Sequence, residues 1–350
     1  MDLPDLQAES IKRTQAVIGA WGERPKGQTK LIVNEYKKAY KEIDVLLKDI
    51  HAKFLSGVKP EEYYNEIIKY NRLTNIQKQI DEYYKAAAKQ AGLKQIELSK
   101  TAMSNVYYQN MYAVNWFSGI NEFTYFTILN NAAVEVSVLG TPEVWKQIAA
   151  SKRASLQTYQ PKHGTLTATL LDNNQKDLNK IKQSITQSMI QGKSYTKTSK
   201  EIQSILETSA SNAVRIARTE GTRNMNSGAF ANTQAALDAG LKLKRQAIET
   251  LDKRTREQSA IIDDQIVDAD KPFIYPGGLE VMIIGNSGVA AYDINERGTS
   301  IDVVPDTPQG GRTGRDPVTG ETLTATFKNF DDWMKKHDLK FNKSGRIVSK

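Results

Sequence analysis

The sequence predicts a predominantly α-helical N-terminal region, then a small α+β domain, then a flexible C-terminal extension. Three observations predict it. Apolar residues recur at helical spacing over most of residues 30–240. Short apolar runs bounded by turn residues follow, at Lys244–Leu251, Leu279–Gly285 and Ile301–Val304. Proline, glycine, threonine and aspartate then crowd residues 305–326. Four segments result: an N-terminal arm at 1–29, a helical region at 30–170, an α+β domain at 171–304, and a linker with a basic tail at 305–350.

The arm is broken by Pro4, Gly22, Pro25 and Gly27, and its patch around Trp21 fits either a docking arm or a short helix on its own domain. A helix over about 30–55 carries Ile32, Tyr36, Ile43, Leu47 and Ile50 on one face and lysines on the other. Gly57 ends it, and Pro60 with Glu61 and Glu62 suits the first turn of the next. That second helix is expected to reach Gly92, and a third to span about 93–118. Their tyrosines suit packing better than base stacking, since the ring buries well while the hydroxyl stays wet. Residues 119–140 fit a helix, a hairpin or an exposed assembly loop. Thr141-Pro142-Glu143 starts a short helix, and 151–170, with His163, reads as a connector. A further helix covers about 171–191. Gly192-Lys193-Ser194 is no phosphate loop, because Gln187 stands where the loop needs glycine.

The central stretch is a long helix from about Ser209, with Ser209 or Ser211 as its cap and Gly240 at its close. Gly221 and Gly228 inside it mark a bend or the close approach of another backbone. Arg215, Arg218, Glu220 and Arg223 fit three descriptions: a solvated face, a network with Asp252, Arg254 and Arg256, or a surface for phosphates or a partner. A strand, a charged turn at 252–256 and two short strands follow. The tail resumes with an amphipathic helix around Phe330–His337.

The 350 residues carry a formal net charge of +8, which suits a nucleic-acid neighbour without demanding one. Cysteine is absent, so thiolate nucleophiles, thiolate metal sites and disulfides are excluded. No apolar core of a signal peptide opens the chain and no apolar run spans a membrane. His51, His163 and His337 are far apart; no HExxH, GxSxG or GxGxxG occurs, nor the Glu-x-Glu pair many ADP-ribosyltransferases use. The carboxylates Asp252, Asp263, Asp264, Asp268 and Asp270 read as turn residues, with no metal-loop spacing.

Arg218-Thr219-Glu220 with Arg223, the alanine-rich continuation to Gly240, the strand, Asp252-x-Arg254-Thr255-Arg256 and Ile262-Asp263-Asp264-Gln265 come in one order. That order resembles the phage head morphogenesis family, the minor head proteins of the SPP1 gene 7 type and the Mu F type. The Pro276-Gly277 turn and Asp293-Ile294-Asn295 continue the resemblance over about 171–304. Many members carry Cys-Arg-Cys where this chain has Glu296-Arg297-Gly298, and a histidine near Ser259, so a family metal or redox role does not carry over.

The resemblance implies a virion protein in the head interior near the portal vertex, made in the host cytoplasm. Its partners would be the portal protein, the major capsid or scaffolding protein, and double-stranded DNA held non-specifically. It implies docking rather than turnover: no enzyme, no catalytic residue, no cofactor and no metal. Arg215, Arg218, Glu220, Arg223, Asp252, Arg254, Arg256, Asp293, Asn295 and Arg297 are the structural or docking candidates. Lys335, Lys336, Lys340, Lys343 and Arg346 are the DNA-contact candidates. Two alternatives stay open. One is a metal-dependent enzyme acting on nucleic acid or a nucleotide, with Asp252, Asp263 and Asp293 around the ion; the other is a host-directed effector ejected with the genome.

Overall fold

The computed structural model describes residues 25–117, 128–303 and 311–350. The expectations for the arm to residue 24, for 118–127 and for 304–310 lie outside the described residues. Internal contacts divide the described chain into two units. One is Pro25–Leu98 with Leu166–Ala217; the other is Ser99–Thr165 with Arg218–Lys350.

The first unit is helical. Helix α1 spans Pro25–Ile50 and runs into a π turn at His51–Leu55. Helix α2 is Tyr63–Ile68 and α3 is Arg72–Phe117. Between α2 and α3 the backbone kinks through left-handed Tyr70 and Asn71, at φ 52° and 57°. Helix α7, Leu166–Ile190, and helix α8, Tyr195–Asp238, as far as Ala217 complete the set; α4, Asn131–Val138, α5, Pro142–Gln147, and α6, Ala150–Leu156, belong to the other unit, as do α3 from Ser99 and α8 from Arg218. One core joins Ile32, Ile43 and Leu47 of α1, Ile80 and Tyr84 of α3, Ile181 and Ile185 of α7, and Ile202 of α8. Each such side chain contributes about 1.5–3 kcal/mol by leaving water. Tyr36 and Tyr84 meet edge to face in this core, which gives them a packing role.

Two helix boundaries differ from the sequence expectation. Gly92 does not end a helix; α3 runs through it. A Cβ there would lie 3.5 Å from Leu170 Cδ1, so the small residue serves helix contact. Nor do Ser209 and Ser211 cap α8. Both sit inside it, donating to the carbonyls of Ile205 and Glu207 one turn back. The helix starts at Tyr195, because the run from Tyr195 to Thr208 contains no glycine or proline to interrupt it.

In the second unit, residues 131–138 of the undecided segment are helical, capped by Asn130 and buried through Val134, Val136 and Val138. Thr141 caps α5 as expected. Strands β1, Lys244–Ile248, β2, Ile266–Asp268, and β5, Thr299–Val303, form an antiparallel sheet in the order β2-β1-β5. Helix α9, Glu257–Ile262, lies between β1 and β2 in sequence, with Ile262 buried and Ile261 exposed. Strands β3, Phe273–Tyr275, and β4, Leu279–Val281, pair across the Pro276–Gly278 turn. Helix α10 is Ala290–Asp293.

The C-terminal segment is more structured than its turn-rich composition predicts. Strands β6, Arg312–Arg315, and β7, Thr322–Phe327, pair as a hairpin. Helix α11, Phe330–Lys336, and the hairpin of β8, Leu339–Phe341, and β9, Ile347–Ser349, follow. Trp333, Phe330, Phe327, Leu339 and Ile347 close a core with Leu251, and Trp333 Nε1 donates to the Arg315 carbonyl at 3.0 Å. A few large rings thus bury enough surface to order a short segment.

Gly228 is where α8 meets α3. A Cβ at this position would sit 2.2 Å from the Met103 carbonyl oxygen. Ala102, Val106, Met225 and Ala229 pack around the crossing. Gly228→Ala is expected to destabilise by about 1–3 kcal/mol in urea unfolding, although alanine favours a helix by about 1 kcal/mol. A stabilised variant would contradict the close approach.

Candidate functional site

Burial of charge defines the site. Strand β1 delivers the chain to a turn in which the Asp252 carboxylate accepts the Arg254 amide at 2.8 Å, and Thr255 N–H returns to the Asp252 carbonyl at 3.2 Å. Asp252 then receives both arms of Arg297, at 2.6 and 2.7 Å. Arg254 adds a contact at 3.0 Å from a largely exposed side chain. Burial alone would raise the Asp252 carboxyl, but the Arg297 fork and the Arg254 amide hold it down at about 2. This pair contributes stability above the ordinary aspartate range and loses it as pH falls through about 2.

Arg256 performs a second task. Its guanidinium donates to the carbonyls of Ala291, Tyr292 and Ile294, closing the C-terminal end of α10. It also donates to Glu296 at 2.6 Å. Glu296 is filled on every side: Ser259 Oγ donates at 2.9 Å, and the amides of Arg297 and Gly298 at 2.6 and 2.7 Å. Ser259 and Glu296, far apart in sequence, are therefore in direct contact. Asp293 accepts the amides of Ser287 and Gly288, each at 2.9 Å, and lies 2.7 Å from His163 Nε2. His163 is thus a partner of Asp293 and not a free loop residue.

On α8, Arg223 is buried. It donates to Glu220 at 2.6 Å and to the carbonyl and hydroxyl of Ser137. This pair anchors α4, and does not join Asp252 or Arg256. Thr219 Oγ1 accepts the amide of Asn295, which holds φ 56°. Arg215 and Arg218 are exposed and have no ion pair among the described residues. Lys335, Lys336, Lys340, Lys343 and Arg346 are all exposed on the folded C-terminal segment, and Lys336 pairs with Asp332.

Several residues central to the site escaped the sequence reading. Arg312 crosses to Asp263, with both side chains buried, and Asp263 also accepts the amides of Glu249 and Phe330 at 2.7 Å each. Asn226 bridges the Ile284 and Gly298 carbonyls, while Thr233 and Asn232 hold Asp302. Burial pushes Asp302 up to about 6, against those hydrogen bonds and the charge of Arg245. Arg245 lies between the rings of Phe230 and Phe273 and is lowered to about 10 by burial. The available signal was the run from Asn224 to Leu237, which has no charged residue yet six of Asn, Ser, Thr and Gln. Such polar groups on an uncharged helix face inward to partners.

Asp252, Asp263 and Asp293 thus serve three different partners, and among the described residues no group of three or more His, Asp or Glu side chains is arranged to hold a metal ion. Glu249 is the exception to the pairing. It is buried, its Oε1 has no hydrogen-bond partner, and a Cβ on Gly298 would lie 2.1 Å from that oxygen. Burial, then the charges of Glu296 and Asp263, push its carboxyl well up. A raised carboxyl costs stability as pH climbs from the unfolded value of 4.5 through the folded one. Glu249→Gln is therefore expected to melt higher than the parent at about pH 8, with the gap closing near pH 4. A gap that does not vary with pH would contradict the burial account.

Residues 179–284 match the family model described as Phage Mu protein F like protein. The matched stretch contains Glu220, Arg223, Asp252, Arg254 and Arg256 and ends before Asp293. The chain is also similar to the NAD(+)–arginine ADP-ribosyltransferase EFV of Enterococcus faecalis, 30% identical over 158 residues, which is 44% of this chain and 30% of that protein. The chain therefore spans less than a third of that relative's length. No solved structure matches it. The similarity to a transferase overturns the expectation that the chain is no enzyme. Among the described residues no helix is long and apolar enough to cross a membrane.

Proposed function

We propose that the chain is a minor head protein of a phage, associated with the portal vertex and contributing to head assembly. The observation that carries this reading is the Mu F-like match over 179–284. In this reading the protein stands inside the head and contacts the portal and the major capsid or scaffolding protein. Arg223, Arg256, Arg297 and their carboxylates keep the platform rigid, while exposed Arg215, Arg218 and Arg254 offer forks to a partner's carboxylates. Lys335, Lys336, Lys340, Lys343 and Arg346 meet packaged DNA through phosphates, aiding packaging or ejection.

A second reading has its own observation, the similarity to the arginine-specific transferase. Here the chain, or a longer protein containing it, breaks the bond from nicotinamide to ribose in NAD. It joins ADP-ribose to an arginine nitrogen, releasing nicotinamide and a proton. A virion protein with that activity would be an effector delivered with the genome.

Protein composition of purified procapsids, mature virions and DNA-ejected particles tests the first reading. Low-copy presence in procapsids and virions is expected; absence from every particle despite good expression would overturn it. Incubation of the purified chain with labelled NAD and an arginine-rich acceptor tests the second, and label on the acceptor is its expected result. Neither transfer nor nicotinamide release would overturn it for this chain.

A further inference from the structure

Helix α1 carries a row of lysines that its own unit leaves unpaired. Lys30, Lys37, Lys41 and Lys48 are exposed, and none forms an ion pair among the described residues. At 3.6 residues per turn they fall within an arc of about 40°, and at 1.5 Å per residue they run about 27 Å along the helix. The buried face of the same helix, through Ile32, Ala39, Ile43 and Ile50, points roughly the other way.

The carboxylates of α1 do not neutralise the row. Glu35 is taken by Lys38 and Lys94, and Asp49 by Lys53. Asp44, about 40° around the helix from Lys30, accepts the hydroxyls of Tyr195 and Ser199 and forms no ion pair with the row, so it offsets at most one of the four charges. Glu42 lies about 120° around the helix from Lys30. Elsewhere in the unit lysines do find carboxylates: Lys85 and Lys182 share Asp81, Lys176 pairs with Asp172, and Lys193 with Glu201. Four like charges on one line repel one another and weaken the helix unless a polyanion lies along them.

We infer that this lysine row is a contact surface for the phosphate backbone of duplex nucleic acid. The inference deepens the head reading above, and places a second DNA contact far in sequence from the C-terminal lysines. The row is straight and rigid, which suits a regular line of phosphates better than an irregular acidic protein surface. Lysine presents a point charge without a planar fork, so such contacts track the backbone without reading bases. A lipid surface is the poorer match, because an interfacial helix inserts its apolar face, and that of α1 is already spent in its own core.

The test uses the full chain and a labelled mixed-sequence duplex of about 30 base pairs, titrated between about 50 and 200 mM salt. Three variants are compared with the parent: Lys30, Lys37, Lys41 and Lys48 all changed to Gln, the same four to Arg, and Lys335, Lys340, Lys343 and Arg346 to Gln. The first is expected to bind at least about tenfold more weakly at low salt, and to flatten the slope of log affinity against log salt by about 3 to 4. The arginine variant is expected to retain binding, which excludes a folding defect as the cause. Parent-like affinity and slope in the first variant would overturn the inference. So would a parent that does not bind the duplex at all. The head reading stands or falls separately, on whether the protein is present in particles.

Discussion

The bridge between Asp252 and Arg297 is the constraint on which the α+β part of the chain depends. Asp252 leaves water while the Arg297 side chain keeps 29% of its exposure, and a buried carboxylate stranded without a partner costs several kcal/mol. Arg297 meets Asp252 with both arms and then Thr255. The turn after β1 is thereby tied to the segment that leads into β5. Neighbouring residues inherit their positions from this contact. Gly298 lacks a side chain because the Glu249 carboxyl fills the space, and Glu296 turns its carboxylate to Arg256, Ser259 and two amides. Arg256 in turn closes α10, whose last residue, Asp293, holds His163.

Such a lattice bears on function through rigidity. Pairs of buried arginine and carboxylate fix orientation more than they add net stability. Where a histidine stands in many members of the resembled family, Ser259 meets Glu296 instead, so one hydroxyl–carboxylate contact now occupies the place. The two comparisons divide the functional question. One ties residues 179–284 to Mu F-like proteins, and the other ties part of the chain to a transferase more than three times as long as the shared portion.

Much of the fold was legible because periodicity and turn chemistry agree locally. The helices of the first unit, the Thr141 cap, Gly240 at the close of α8 and the strand at Lys244 follow from such agreement. So did the suspicion that another backbone approaches Gly228, although only the structure names Met103. What was not legible depends on contacts distant in sequence. Gly92 looked like a stop, since nothing local reveals Leu170 against it. The helix at Phe330 follows from its pattern, but residues 311–326 read as a loose connector, because composition does not show that Arg312–Arg315 and Thr322–Phe327 pair or that Trp333 and Phe330 find Leu251. In the site, sequence leaves Arg223 open between a solvated face, a network with Asp252, Arg254 or Arg256, and a surface for phosphates or a partner. The structure sends Arg223 to Ser137 and brings Arg297 to Asp252 instead. The pairing of Arg312 with Asp263 joins residues 49 apart, a distance over which no spacing rule operates.

The most direct measurement is a double-mutant cycle on Asp252 and Arg297, read by equilibrium unfolding at neutral pH. Each alanine substitution alone is expected to cost about 3–5 kcal/mol, because it strands the partner's charge. The double variant is expected to cost less than their sum by about 2 kcal/mol or more. Additive losses, with coupling below about 0.5 kcal/mol, would contradict the claim that this bridge organises the α+β part of the chain.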